Sequence, residues 1–259
     1  MSKPGVFISG AAAGIGQASA RLFAARGWLV GLYDVDLAGV QALADELGAD
    51  QAIAGQLDVS DEAQWPLALE SFFQRSGRLD VLINNAGILA SGPFASLSLS
   101  CQHKIIDINV KGVLNGCHHA LPYLRRSPGS RVINMASASA IYGQPSLATY
   151  SASKFAVRGL TEALDLEWQA YGIKVMDVMP LFVQTQMVKA MDAPAIARLG
   201  IRLRPEDVAQ TLWKAAHYHG TPAKVHWLVG AQAQLFYALA GLSPDWLNRL
   251  LTRHIATQH

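Results

Sequence analysis

Tyr150 and Lys154 stand four residues apart in the run Tyr150-Ser151-Ala152-Ser153-Lys154. On a helix that spacing puts both side chains on one face. A free tyrosine, with a pKa of about 10, is a poor base at neutral pH. An ammonium held beside it favours the phenolate and lowers that value. The pair then forms a general acid/base, able to take a proton from an alcohol or return one to a ketone. Alone the spacing says little, since any helix can carry a half-buried Tyr beside a surface Lys. Its weight depends on what the rest of the chain supplies.

Near the N-terminus the apolar run Val6-Phe7-Ile8-Ser9 reads as a strand and leads into Gly10-Ala11-Ala12-Ala13-Gly14-Ile15-Gly16. Gly10 allows a tight turn, and Gly14 and Gly16 let backbone approach phosphate and strand closely. The helix that begins near Ile15 turns its free N–H groups and its dipole toward that loop, which makes an anion site. A second apolar strand, Trp28 to Tyr33, ends in Asp34, about 20 residues past the loop. A carboxylate there accepts hydrogen bonds from ribose hydroxyls and repels a 2′-phosphate. No Arg or Lys lies in the loop, and Val35 and Asp36 follow Asp34. Both absences favour NAD over NADP.

Ser137 closes the strand-like run Val132-Ile133-Asn134-Met135-Ala136. Its hydroxyl can donate to a substrate oxygen and stabilise charge that develops there. Ser139 is a nearby competitor, and register favours Ser137. Asn109 sits inside a long helical stretch, where an unused Asn is unfavourable.

In their order and spacing, the glycine loop, Asp58-Val59, Asn84-Asn85-Ala86-Gly87, Asn109, Ser137, Tyr150 with Lys154, and Pro180 to Thr185 resemble the short-chain dehydrogenase/reductase family in its compact single-domain branch. The likeness runs from about residue 4 to about residue 230. It implies a catalytic set of Asn109, Ser137, Tyr150 and Lys154. Asn109 would support a local kink and order a water leading to Lys154. The implied cofactor contacts are Gly10, Ala12, Gly14, Ile15, Gly16, Asp34, Asp58, Val59, Asn85, Ala86, Gly87, Tyr150, Lys154, Pro180, Val183 and Thr185. By the same likeness, Asp58 holds the adenine amino group, and the Val183 backbone and Thr185 hydroxyl lie near the nicotinamide carboxamide. Two positions depart from the pattern. Leu181 replaces the usual Gly after Pro180, and Ser9 replaces the usual Thr. A Gly is often chosen for positive φ, so either the backbone at Leu181 is ordinary or Leu181 shapes a modified pocket.

Those residues need elements to position them. Apolar strands are expected near 5–9, 28–34, 51–57, 79–84, 131–136, 173–179 and 225–229, with helices near 15–26, 36–47, 61–76, 98–125, 150–171 and 205–219. This alternation predicts an α/β fold with parallel strands and right-handed crossovers. Together with the family likeness, it predicts a Rossmann-type doubly wound seven-stranded parallel sheet of order 3-2-1-4-5-6-7, with helices on both faces. One domain would span 1–259, with a substrate-covering segment at 186–204 and an atypical helical tail at 230–259. Ligands in such sheets bind at the carboxyl ends of the strands, where the motifs fall.

The chain has 259 residues, 51% of them hydrophobic and 15% charged, and a net charge of +2, which suits one large core and gives no basic run for nucleic acid. Cys101 and Cys117 are not spaced to bridge within one helical region, and no leader precedes the first strand, so a reducing, cytoplasmic location is expected. Adjacent His118 and His119 make a poor metal pair, as do His217 and His219, and no metal is expected.

Leu89, Ile141, Leu147, Leu181, Phe182, Met187, Val188, Met191, Ile196 and Leu199 suggest a greasy pocket for a bulky apolar alcohol or ketone. The apolar tail from Gln232 to Leu242, with a helix start at Ser243-Pro244-Asp245, reads as a dimer contact or a pocket cover in preference to a membrane surface. The likeness implies a homodimer through the helices that carry Asn109 and Lys154, and in many relatives a tetramer. Three readings stay open: an NAD-dependent alcohol dehydrogenase or ketone reductase, an NADPH-dependent ketone or ketoacyl-thioester reductase, and a catalytically silent dinucleotide sensor.

Overall fold

β1 (Gly5–Ser9), β2 (Leu29–Asp34), β3 (Ala52–Gln56), β4 (Val81–Asn84), β5 (Arg131–Met135), β6 (Lys174–Pro180) and β7 (His226–Val229) form one sheet in the computed structural model. It has seven strands in the order β3-β2-β1-β4-β5-β6-β7, all paired in parallel. The structure describes residues 3–189, 200–221 and 223–242, together with 244, 246, 249, 250 and 253.

A parallel sheet covered on both faces needs apolar residues on both sides of each strand. β1 meets that demand, with all five residues buried. Alternation sends Val6 and Ile8 to one face and Phe7 to the other. On the first face they meet Phe23 of α1 (Gly14–Ala25), Val40 of α2 (Leu37–Leu47) and Leu212 of α8 (Pro205–Ala216). On the second, Phe7 stacks on Tyr33 with ring centres 4.2 Å apart. Trp65 and Phe72 of α3 (Gln64–Ser76), Leu124 of α5 (Gly112–Leu124) and Val157 of α6 (Ala148–Glu167) complete that core.

Local chemistry sets the element ends. Asp36 caps α2 by accepting the Gly39 N–H at 3.0 Å, and Ser98 caps α4 (Leu99–Ile106) by accepting the Cys101 N–H at 3.2 Å. The helix expected from residue 61 starts at Gln64, because Asp61 takes the Ala63 N–H and the Gln64 side chain in a turn of its own. The helix expected from Tyr150 starts at Ala148, so Tyr150 lies in its first turn, and past Glu167 it tightens into a short 3₁₀ turn, Trp168–Tyr171.

The helix expected at 98–125 is broken at Asn109, where the family likeness put a kink. In place of one helix, α4 and α5 are joined by a π turn at Asp107–Lys111. Asn109, fully buried in that turn, accepts the Ile88 N–H at 2.8 Å and donates to the Ile88 carbonyl at 2.9 Å. Single π turns mark places where a side chain has outside partners.

Beyond β6, α7 (Gln186–Lys189) opens the expected covering segment. Met191, Ile196 and Leu199 lie outside the described residues. The tail forms α9 (Ala231–Leu242), and the expected helix start at Ser243 and Asp245 also lies outside them. Among the described residues, no helix is long and apolar enough to cross a membrane.

Candidate active site

A cavity of about 390 Å³ opens along the carboxyl edge of the sheet. Its floor is the glycine loop. Gly10 has φ 68°, and a Cβ there would meet backbone of Ala86 at 2.7 Å. A Cβ on Gly16 would sit 2.1 Å from the Gly10 carbonyl oxygen. Both positions therefore admit only glycine. No side chain caps the N-terminus of α1, where Ala13 is the capping residue, and its first turn carries no acid. The uncapped N–H groups and the positive end of the helix dipole suit a diphosphate. The residues present thus fit a dinucleotide.

Asp34 ends β2 at the loop's flank. Its carboxylate accepts the Ala12 N–H at 3.0 Å and the Asp36 N–H at 3.1 Å. It is both a brace for the loop and a wall of the cavity. Asp58 follows β3 and accepts from Ser60, at 2.9 Å from its N–H and 2.6 Å from its hydroxyl. The Val59 carbonyl accepts from Trp65 and Asn115 at 3.1 and 3.0 Å, which holds this wall to α3 and α5.

Asn85 ties β4 to β1. Its Nδ2 donates to the carbonyls of Ser9 and Gly10 at 3.0 and 2.8 Å. The Ser9 hydroxyl accepts the N–H groups of Asn85 and Ala86 at 3.1 and 3.2 Å, so Ser in place of Thr keeps the anchoring oxygen. A Cβ on Gly87 would lie 3.2 Å from Asn109 Oδ1 and 3.6 Å from Lys154 Nζ, so the two side chains flank one backbone point. Asn109 Nδ2 also donates to the Ser153 hydroxyl at 3.1 Å.

Ser137, Tyr150 and Lys154 come together from β5 and α6. The Ser137 hydroxyl lies near enough to the Tyr150 phenol to favour its ionised form. It also accepts the Ser139 N–H at 3.1 Å and donates to the Ser139 hydroxyl at 3.3 Å. Ser137 lines the cavity and Ser139 does not. Lys154 Nζ donates to the Met135 carbonyl at 2.7 Å and lies 5.6 Å from the Tyr150 ring centre.

The expected lowering of the Tyr150 pKa is not what the cavity produces on its own. Burial pushes Tyr150 up to about 12, against the smaller pull of the Ser137 hydroxyl. Burial pushes Lys154 down to about 8. Loss of water dominates at both groups, because burial costs each charged form its solvation.

Pro180 at the end of β6 and the segment after it, through Leu181, Val183 and Thr185 to Val188 of α7, supply the last wall. Leu181 takes an ordinary backbone, since Ser146 (φ 64°) is the non-glycine residue of positive φ among those described. Its side chain lines the cavity, so the substitution for Gly alters the pocket and leaves the fold unstrained. A Cβ on Gly14 would meet Thr185 Cγ2 at 3.2 Å, which sets Thr185 against the glycine loop.

The cavity thus gathers Gly10, Gly14, Ile15, Asp34, Asp58, Val59, Asn85, Ala86, Gly87, Ser137, Tyr150, Lys154, Pro180, Val183 and Thr185. Ala12, Gly16 and Asn109 stand behind its wall. Of the apolar residues expected to line it, Leu181, Met187 and Val188 do so, while Leu89, Ile141, Leu147 and Phe182 are not among its lining residues. Leu147 and Phe182 are buried in the body of the protein. Sequence reasoning missed Ile88, Ile108 and Met135; the Met135 carbonyl that holds Lys154 has no side-chain signal to read.

A model of the short chain dehydrogenase family matches residues 5–195. A 3-oxoacyl-[acyl-carrier-protein] reductase of Thermotoga maritima is 33% identical over 216 residues, 79% of this chain and 87% of that one. A 3-beta-hydroxysteroid dehydrogenase of Comamonas testosteroni is 35% identical, covering 78% and 84%. The crystal structure of a 3-ketoacyl-(acyl-carrier-protein) reductase from Brucella melitensis complexed with NADH superposes with a TM-score of 0.83 at 27% identity, covering 90% of this chain and 99% of that one.

Proposed function

The chain belongs to the short-chain dehydrogenase family, and from that premise we propose that it is an NAD(H)-dependent oxidoreductase interconverting a secondary alcohol and a ketone on a bulky apolar substrate. The observation that carries the reading is the convergence of Ser137, Tyr150 and Lys154 on a cavity whose opposite end holds Asp34 and an uncapped helix N-terminus. A bound nicotinamide supplies the hydride acceptor or donor. In the oxidation direction, Tyr150 as phenolate takes the substrate hydroxyl proton while Ser137 donates to the same oxygen. Lys154 binds the nicotinamide ribose and supports the Tyr150 phenolate, and Asn109 orders the path by which the proton leaves. In reduction each step reverses. Asp34 supports NAD in this reading, since a carboxylate at the end of β2 beside the glycine loop would repel a 2′-phosphate. Asp58, Val59, Asn85, Ala86, Gly87, Pro180, Val183 and Thr185 complete the cofactor's walls in this reading.

The apolar substrate follows from Ile88, Leu181, Met187 and Val188 along the cavity, and the hydroxysteroid relative supports it. The 3-oxoacyl reductase relative supports instead the ketoacyl-thioester alternative, which Asp34 disfavours if NADPH is the donor. A homodimer is part of the reading: Leu99 on α4, Leu114 on α5, and Phe155 and Leu166 on α6 are exposed apolar side chains on the helices expected to pair. So is a cytoplasmic location, which suits two free cysteines.

The test is oxidation of a panel of secondary alcohols, from small aliphatic to steroid-sized, with NAD⁺ or NADP⁺ and with Tyr150→Phe as control. Turnover of large apolar members with NAD⁺, lost in the variant, supports the reading. Turnover restricted to NADPH and thioester-linked ketones would replace it with the reductase alternative. Tight NADH binding without any turnover would favour a dinucleotide sensor.

A further inference from the structure

Tyr150, Lys154, Arg158 and Glu162 follow one another at intervals of four and so form one stripe along α6. The first two belong to the site just described. The second two continue away from it into a polar chain that the proposed reaction does not use. Arg158 Nη1 donates to the Ala140 carbonyl at 3.3 Å, and Arg158 Nε donates to Glu162 Oε1 at 2.8 Å. The same Glu162 oxygen lies 3.0 Å from His226 Nε2. His226 Nδ1 lies 3.0 and 2.9 Å from the two oxygens of Asp177. Asp177 is fully buried in β6 and pairs in register with His226 of β7.

Ala140 is the end of the chain that matters. It closes the one-turn 3₁₀ segment Ala138–Ala140, and its N–H donates to the Ser137 carbonyl at 2.8 Å. The Arg158 guanidinium therefore grips the far end of the turn that Ser137 begins. From α9, the Tyr237 ring lies 5.3 Å from that guanidinium and 5.9 Å from the His226 ring, so the tail helix rests on the same network.

Stability alone is a poor account of the arrangement. An ion pair at i, i+4 on a helix surface contributes little. A buried charged pair such as Asp177 and His226, between β6 and the edge strand β7, is often matched or bettered by aliphatic residues of similar size. Metal binding is no better an account, because both ring nitrogens of His226 already face carboxylates. What the chain does is fix the direction of one guanidinium, and that guanidinium points at the turn carrying Ser137.

We propose that Arg158 is a positioning residue for Ser137, held in place by Glu162, His226 and Asp177. The proposal rests on the reading of Ser137 as the group that holds the substrate oxygen. It is tested in the full-length chain by a double-mutant cycle between Arg158→Met and Ser137→Ala, with NADH affinity measured alongside. Arg158→Met should lower kcat about tenfold in the wild-type background and less than about twofold in the Ser137→Ala background, since it acts through that hydroxyl. NADH affinity should stay within about twofold throughout. Arg158→Lys keeps the charge, but its single nitrogen cannot span Glu162 and Ala140, so an intermediate loss is expected; it also serves if Arg158→Met fails to fold. Hydrogen exchange at the Ala140 and Ile141 amides should quicken in both variants while the strands hold. Equal losses in the two backgrounds, wild-type kcat in both Arg158 variants, or unchanged exchange in the turn would each overturn the proposal. A wild-type chain that binds NADH but turns over no alcohol or ketone would instead sink the dehydrogenase reading, and exchange would still decide whether Arg158 holds the turn.

Discussion

Lys154 follows Tyr150 by one helical turn, yet its ammonium bonds the Met135 carbonyl at 2.7 Å and stands 5.6 Å from the Tyr150 ring centre. Burial pushes Tyr150 up to about 12 and brings Lys154 to about 8. A cationic ligand in the same cavity favours the phenolate. Titration of tyrosinate absorbance, wild type minus Tyr150→Phe, should therefore show no ionisation of Tyr150 up to about pH 9 in the free chain, and an onset at least about one unit lower with NAD⁺ bound. A Tyr150 that ionises near neutrality without ligand would show that the cavity is far better solvated than its burial implies.

Asp34 has two duties, and they separate on mutation. It braces the loop through the Ala12 N–H and lines the cavity, where the proposed function has it accept hydrogen bonds from a ribose. Asp34→Ala should weaken NADH binding about tenfold or more, the equivalent of one charge-assisted hydrogen bond, and improve the NADPH-to-NADH ratio. Asp34→Asn can keep the Ala12 bond and should restore loop stability without restoring NADH preference. Fluorescence titration of both cofactors against both variants checks this; an unchanged ratio in Asp34→Ala would leave cofactor choice to other residues.

The π turn at Asp107–Lys111 depends on Asn109. Its amide bonds both backbone groups of Ile88 and the Ser153 hydroxyl. Asn109→Ala removes the partner of both Ile88 backbone groups and should destabilise the protein by about 2–3 kcal/mol in urea unfolding. Because Gly87 lies between Asn109 and Lys154, turnover should fall by more than the unfolded fraction explains. A variant as stable as wild type would mean that water or a shifted helix satisfies Ile88 equally well.

How far these features were legible in the sequence differs by kind. β1 and β2 were readable because continuous apolar runs end in Gly10 and Asp34, and a parallel sheet needs both faces buried. Ser137, Tyr150 and Lys154, which line one cavity, could be singled out because their side-chain types suit acid–base chemistry. The break in the helix at 98–125 was legible only through the family likeness, which put a kink at Asn109; its cause is a bond between Asn109 and Ile88, 21 positions apart, that no local period reports. The pocket lining was only half legible. Leu147 and Phe182 are as apolar as Leu181, and only the fold decides which of them faces the cavity. The chain from Asp177 to Arg158 escaped notice for the same reason, because β6 and β7 meet in register across 49 residues.

That pairing also sets a pH dependence of stability. In the unfolded chain His226 titrates near 6.5. In the folded chain burial opposes its charge, but the hydrogen bond and charge of Asp177 outweigh burial and raise its pKa. Asp177 is itself raised, by burial first, against the pull of His226. In each case the folded chain keeps a proton that the unfolded chain releases, so stability falls as pH rises. The His226 contribution is whole below about 6.5 and is lost as pH climbs through the raised folded value. Lys154 has the opposite sign: its folded value of about 8 lies below the ordinary lysine value, so stability recovers only above about pH 8. Measured between about pH 6 and about pH 7.5, the wild-type urea midpoint should fall, and His226→Gln should flatten that slope. If His226→Gln keeps the wild-type slope, the imidazolium does not bridge Asp177 and Glu162 in solution, and the slope arises from other groups.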